Sequence, residues 1–109
     1  MELEYASAAF ARLCNSEVAG NLRWGAKRAQ KIRQRIAELR AAPNLAMLLL
    51  LPACDFRPLT ADRQGQYAVD ALPPVSLVFK PVTNAHSAGT PPLQTIRKIL
   101  ILEVEEIDG

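Results

Sequence analysis

All eight prolines of this 109-residue chain lie after residue 42, and seven of them lie after residue 50. Proline lacks an amide hydrogen and clashes with the preceding helical turn, so its placement decides where long helices can form. The first 42 residues are free to be helical; the remainder must be built from turns and short extended segments. Within the first part Val18, Leu22, Ala29, Ile32, Ile36 and Leu39 recur at spacings of three, four and seven, which is one apolar stripe of a helix. Asn15 and Ser16 are good N-caps for it, and Pro43 disfavours helical geometry at Ala42. One long helix is therefore expected from Ser16 to Ala42. Ahead of it, Glu2-Leu3-Glu4-Tyr5 alternates charge and bulk as a strand does, and Ser7 is placed to cap a short helix carrying Ala8, Phe10, Ala11 and Leu13.

Beyond Pro43 the texture changes. Asn44 is a candidate cap for one or two further turns through Leu45, Met47 and Leu48, ended by Pro52. Phe56–Leu59, Gln66–Asp70, Val75–Lys80 and Ile96–Glu105 read as four strands, separated by turn-forming groups and by a polar loop from Thr83 to Pro92. In the last strand Ile99, Leu100, Ile101 and Leu102 are apolar on both faces, as in a strand inside a sheet with both faces covered. The expected class is α+β: an N-terminal strand and a helical hairpin packed on one face of a small, mostly antiparallel β-sheet, in a single domain over residues 1–109. Leu22, Ile32, Ile36 and Leu39 are expected to be buried against the sheet, with Leu100 or Leu102 opposite them.

Half of the residues are hydrophobic and 22% are charged, the composition of an ordinary globular domain. The longest apolar run, Leu45–Leu51, falls far short of the roughly 20 residues a membrane-spanning helix needs. The N-terminus has neither the basic start nor the apolar stretch of a secretory signal, so a soluble, cytoplasmic protein is expected. Cys14 and Cys54 stand in no metal-like or redox-like spacing and read as small buried hydrophobes. With His86 the only histidine, neither a metal site nor a cofactor is expected. The net charge of +2 is unevenly spread. Arg23, Lys27, Arg28, Lys31, Arg33, Arg35 and Arg40 face a single acid, Glu38, whereas the last seven residues hold Glu103, Glu105, Glu106 and Asp108 with no base. A basic middle points to a polyanion or an acidic protein partner.

Three stretches carry a resemblance. Residues 25–42, the basic helix GAKRAQKIRQRIAELRAA, the turn and strand Asp62-Arg63-Gln64-Gly65-Gln66-Tyr67-Ala68-Val69-Asp70, and the last strand with its tail, Ile96 to Gly109, resemble the RelE/ParE toxins, and within them the HigB-like killer branch. Val75–Pro81 matches the intervening strand in outline. The resemblance implies a toxin of a type II toxin–antitoxin system that cuts messenger RNA in the ribosomal decoding site without a metal. In that reaction the 2′-hydroxyl attacks the adjacent phosphate while the protein supplies cations and groups that move protons. It also implies a helix-turn-helix, HigA-like antitoxin as partner in a hetero-oligomer.

On this resemblance Arg57, Arg63 and Lys80 are the candidate catalytic residues around one concavity, and Lys27, Lys31, Arg35, Gln66 and Tyr67 the candidate RNA contacts. Each has a plainer alternative: Arg63 solvating its turn, Lys80 protecting a strand edge, Tyr67 a half-buried strand aromatic, the basic helix face merely solvated. The sequence also departs from the family pattern. Ser76 stands where active relatives carry a phosphate-facing arginine, and Glu106-Ile107-Asp108 replaces an acid-Tyr-His tail. A degenerate toxin that keeps antitoxin binding, and a ParE-like inhibitor of DNA gyrase, are the alternative functions.

Overall fold

The computed structural model describes residues 1–83 and 91–106. Strand β1 (Glu2–Tyr5) leads into three helices, α1 (Ala8–Asn15), α2 (Glu17–Trp24) and α3 (Ala26–Ala41). The caps are those the sequence indicates. The Ser7 hydroxyl accepts from the Phe10 amide at 3.0 Å, and the Ser16 hydroxyl from the Ala19 amide at 3.1 Å, each satisfying an amide that has no partner within its helix. At the far end Ala42 is extended (φ −69°, ψ 134°), as Pro43 requires.

The expected single long helix is two. Gly25, at φ 85° and ψ 156°, closes α2 and opens α3 in a region of backbone space open essentially to glycine alone. The break turns α2 away from the register of α3. Val18 and Leu22 are 72% and 85% exposed, so the apolar stripe does not continue through them and Leu22 is not a core residue. The packing side of α2 is instead marked by buried Gly20, about half a turn away. A Cβ there would lie 3.0 Å from the Leu13 carbonyl oxygen and 3.5 Å from Ala29 Cβ, so the absence of a side chain lets three helices approach closely.

After Pro43 the chain forms two 3₁₀ turns, Leu45–Leu50 and Pro52–Cys54. Asn44 does not cap the first: its side chain makes no capping bond, and its Oδ1 is buried without a partner. Strands β2 (Arg57–Pro58), β3 (Tyr67–Asp70), β4 (Val75–Pro81) and β5 (Lys98–Glu106) follow. The sheet order is β1-β5-β4-β3-β2, with β1 parallel to β5 and the other pairs antiparallel. β5 does lie inside the sheet. The helical residues Ile32, Ile36 and Leu39 pack with Val69, Leu77, Phe79, Ile99 and Ile101 in one buried cluster, each fully buried side chain contributing roughly 1.5–3 kcal/mol of transfer free energy. The residues of β5 that meet the helices are thus Ile99 and Ile101, whereas Leu100 and Leu102 are only half-buried. Cys14 and Cys54 are buried, unbridged thiols. Burial pushes the Cys14 thiol up to about 12, which leaves it an inert hydrophobe.

A bulge in β5 decides which of its side chains face where. Phe79 pairs with Ile101 but Val78 pairs with Glu103, so Leu102 is an extra residue. An inserted residue inverts the alternation beyond it. Val104, rather than Glu103 or Glu105, therefore packs against the helix-side cluster, and both glutamates are turned to the other sheet face.

Candidate functional site

The face of the sheet turned away from the helices carries two neighbouring polar clusters. In the first, Arg57 on β2 donates to Asp70 Oδ1 at 3.0 Å and to Ser76 Oγ at 3.1 Å, and Ser76 donates to the same Asp70 oxygen at 3.0 Å. The Asp55 carboxylate and carbonyl complete the arginine's partners, at 3.3 and 2.8 Å. Arg57 pairs with Ala68, and Asp70 with Ser76, across neighbouring strands, so these groups are cross-strand neighbours. Ser76 is fully buried.

In the second cluster Arg63, on the 3₁₀ turn Ala61–Arg63, donates to Gln66 Oε1 at 2.9 Å, to Glu105 Oε2 at 2.7 Å and to Glu103. Glu103 is the cross-strand partner of Val78, and Glu105 that of Ser76. Arg63 therefore reaches from the turn before β3 across two strands to β5. Ala68 and Val78 are fully buried although they point away from the helices, because this span of polar side chains lies across their row. The two glutamates share a hydrogen bond that lowers Glu103, with Arg63 helping, and raises Glu105, with burial and the Glu103 charge helping.

Of the expected catalytic residues, Arg57 and Arg63 come together here, and Gln66 joins them. Lys80 is exposed on the same face, two residues along β4 from Val78 and opposite Leu100. Tyr67 does not belong. It points to the helix side, is 5% exposed, and stacks against both Phe56 and Phe79 at centroid distances of 5.3 and 6.2 Å. Arg35 is corrected too. It is 5% exposed and spends its guanidinium inside the protein, on the Asp70 carbonyl at 2.6 Å, the Ala53 carbonyl at 3.1 Å and Glu38 at 2.9 and 3.0 Å. A buried charge must be paired in this way, so it cannot also serve RNA. Lys27 is exposed and Lys31 half-buried on the outer side of α3. The sheet lies between them and Arg57, so the expected RNA contacts divide between two opposite surfaces of the molecule. His86, Ile107 and Asp108 lie outside the described residues.

Asp70, Glu103 and Glu105 were not among the candidates. The sequence does hold a signal for the glutamates: the apolar alternation Ile99, Ile101 resumes at Val104 instead of residue 103, a phase break that a bulge explains. Among the described residues no group of three or more His, Cys, Asp or Glu side chains is arranged to hold a metal ion, and no helix is long and apolar enough to cross a membrane.

The strand, the helices on one sheet face and the meander with β1 parallel to β5 define the class: a RelE-like α+β fold. Among solved structures the chain is similar to the YoeB/ParE toxin from Agrobacterium tumefaciens, at 12% identity and a TM-score of 0.56, over 99% of this chain and 100% of that one. It is also similar to YafQ from E. coli strain BL21(DE3), at 14% identity and a TM-score of 0.52, over 96% and 91% of the two chains. No protein-family model and no curated protein sequence matches it.

Proposed function

We propose that this chain is the toxin of a type II toxin–antitoxin pair in the cytoplasm, of the RelE/ParE kind and its HigB-like branch. It acts as an endonuclease on messenger RNA in the ribosomal decoding site and is neutralised by a helix-turn-helix, HigA-like antitoxin. The observation that carries this reading is the pair of arginines, Arg57 and Arg63, gathered from β2 and its following turn onto the open face of a RelE-like sheet. Guanidinium groups held in place by neighbouring side chains are suited to the charge that develops on a phosphorane, since no reorganisation is needed as it forms. Lys80 on the same face supplies a further cation toward the RNA backbone.

A specific observation favours a second reading, a toxin that binds its antitoxin without cutting RNA. Both arginines already have carboxylate partners, and Ser76, at the position of the family's phosphate-facing arginine, contributes no charge. The deciding experiment is induced expression without the antitoxin, with RNA 5′ ends mapped and plasmid supercoiling measured in the same cells. New 5′ ends within translated messages support the endonuclease. Antitoxin binding without new 5′ ends supports the degenerate toxin, and altered supercoiling without cleavage moves the assignment to gyrase inhibition.

A further inference from the structure

We propose that Glu103 and Glu105 are the proton-transferring residues of this face, cleaving single-stranded RNA by transesterification around Arg63. The inference rests on the endonuclease reading and adds to it the groups that move protons. Arg57 and Arg63 can stabilise negative charge, but a guanidinium is too weak an acid to exchange protons near neutral pH. The Tyr-His pair that the family resemblance leads one to expect is replaced in this sequence. Glu103 and Glu105 are the carboxyl groups that contact Arg63, both through the same Nη2, and the β5 bulge is what delivers them to this face.

Their spacing suits the reaction. Two residues along one strand face sit roughly 6.6 Å apart at Cα, so the two carboxyl groups, which meet on Arg63 Nη2 in the resting protein, can part to flank a phosphate whose non-bridging oxygens take their place on Arg63. Glu103 takes the proton of the 2′-hydroxyl as the 2′-oxygen forms its bond to phosphorus. The bond from phosphorus to the 5′-oxygen breaks, and Glu105 gives its proton to that oxygen. The products are a 2′,3′-cyclic phosphate and a 5′-hydroxyl, with one proton gained by Glu103 and one lost by Glu105. The hydrogen bond between the two carboxyl groups then returns the proton and restores the starting state.

The resting electrostatics agree with these roles. The shared bond lowers Glu103 and raises Glu105 from the ordinary carboxyl value, the directions that suit Glu103 as the base and Glu105 as the acid. Carboxyl pairs pushed apart in this manner divide into an acid and a base. The charged groups facing the pair are Arg63 and Asp62 from the turn, Arg57 from β2, Asp70 from β3 and Lys80 from β4.

The test compares wild type, Glu103→Gln, Glu105→Gln and Glu106→Gln on a defined single-stranded RNA and on programmed ribosomes. It is done in EDTA, with product ends identified and RNA binding followed by anisotropy. Glu106 is exposed at the strand end, pairs with Arg28 at 3.9 Å and serves as the control. The expected results are kcat reduced by about 10²–10⁴-fold in the first two variants, KM and RNA affinity retained, and Glu106→Gln unchanged. A bell-shaped wild-type pH profile should lose its acid limb in Glu103→Gln and its alkaline limb in Glu105→Gln. Wild-type cleavage with undiminished rates in both variants overturns the pair and leaves the endonuclease reading standing. Absence of cleavage by wild type on both substrates overturns both. Thermal melting of each variant separates loss of chemistry from loss of fold, and a Glu103→Asp protein that recovers part of the rate supports a proton-transfer role.

Discussion

Arg35 shows how a single residue can be read two ways. Its charge places it with the basic helix face, but its position, three residues after Ile32 and four before Leu39, places it in the apolar stripe. The structure selects the second. Arg35 ties α3 to the Pro52–Cys54 turn through Ala53 and to the end of β3 through Asp70, whose carboxylate in turn holds Arg57 on the opposite face. Arg35→Ala would strand the Glu38 carboxylate and two carbonyls. A loss of roughly 3 kcal/mol is expected, at the low end because Glu38 keeps part of its surface in water, and urea denaturation measures it. Glu38 itself links stability to pH. Burial alone would raise its carboxyl, but hydrogen bonds from Gln34, Cys54 and Arg35 and the Arg35 charge outweigh burial and hold it below the ordinary 4.5. A carboxyl lowered in the folded state contributes its stability above the unfolded value, and that contribution is lost as pH falls through the lowered one. Glu38→Gln should therefore flatten the decline of stability on the acid side of 4.5, measurable as melting temperature against pH.

At the scale of elements, the joint at Gly25 sets the shape of the helical layer. Nothing lies within 4 Å of a Cβ placed on Gly25, so crowding does not demand glycine there; the positive φ does. Gly25→Ala should cost on the order of 1–3 kcal/mol through backbone strain alone, visible as a lower melting temperature with an unchanged far-ultraviolet spectrum. If the variant melts with wild type, α2 and α3 can join without the left-handed residue. The β5 bulge is the second such device, and it works on the site. Were Leu102 paired regularly instead of bulged out, Glu103 and Glu105 would share the parity of Ile99 and Ile101 and face the buried core, where unpaired carboxylates are not tolerated.

On the scale of the whole molecule, the sheet separates two surfaces of different electrostatic character. On the open face Arg57 and Arg63 are balanced by Asp70, Glu103 and Glu105. The outer side of α3, with Lys27 and Lys31, keeps an excess of cations, which favours encounter with an acidic partner. If the proposed antitoxin docks there, reversing both charges, Lys27→Glu with Lys31→Glu, should slow association by about tenfold or more at low salt. The effect should shrink as salt is added, because the Debye length falls from roughly 30 Å at 0.01 M to 10 Å at 0.1 M. Association at the wild-type rate across the salt series would place the docking surface elsewhere. Arg35 has no place in that test, since its reversal would unfold the core instead of altering the surface.

Periodicity, caps and proline placement are local properties, so the strand, the first helix, the end of α3, the positions of the later strands and the α+β class were all legible in the chain itself. The Gly25 joint was less so, because an apolar stripe can be drawn through it and only the packing of Gly20 against Leu13 and Ala29 shows that Val18 and Leu22 turn outward. Arg57, Arg63 and Gln66 were singled out as candidates through the family resemblance, but the side chains they contact were not. Arg63 and Glu105 are 42 residues apart, and their meeting depends on strand order and on one inserted residue in β5. Side-chain direction in a strand alternates with every residue, so a single bulge reverses it for all that follow. Sequence alone therefore determined most of the elements, and tertiary packing decided where the helical layer breaks and which charges meet.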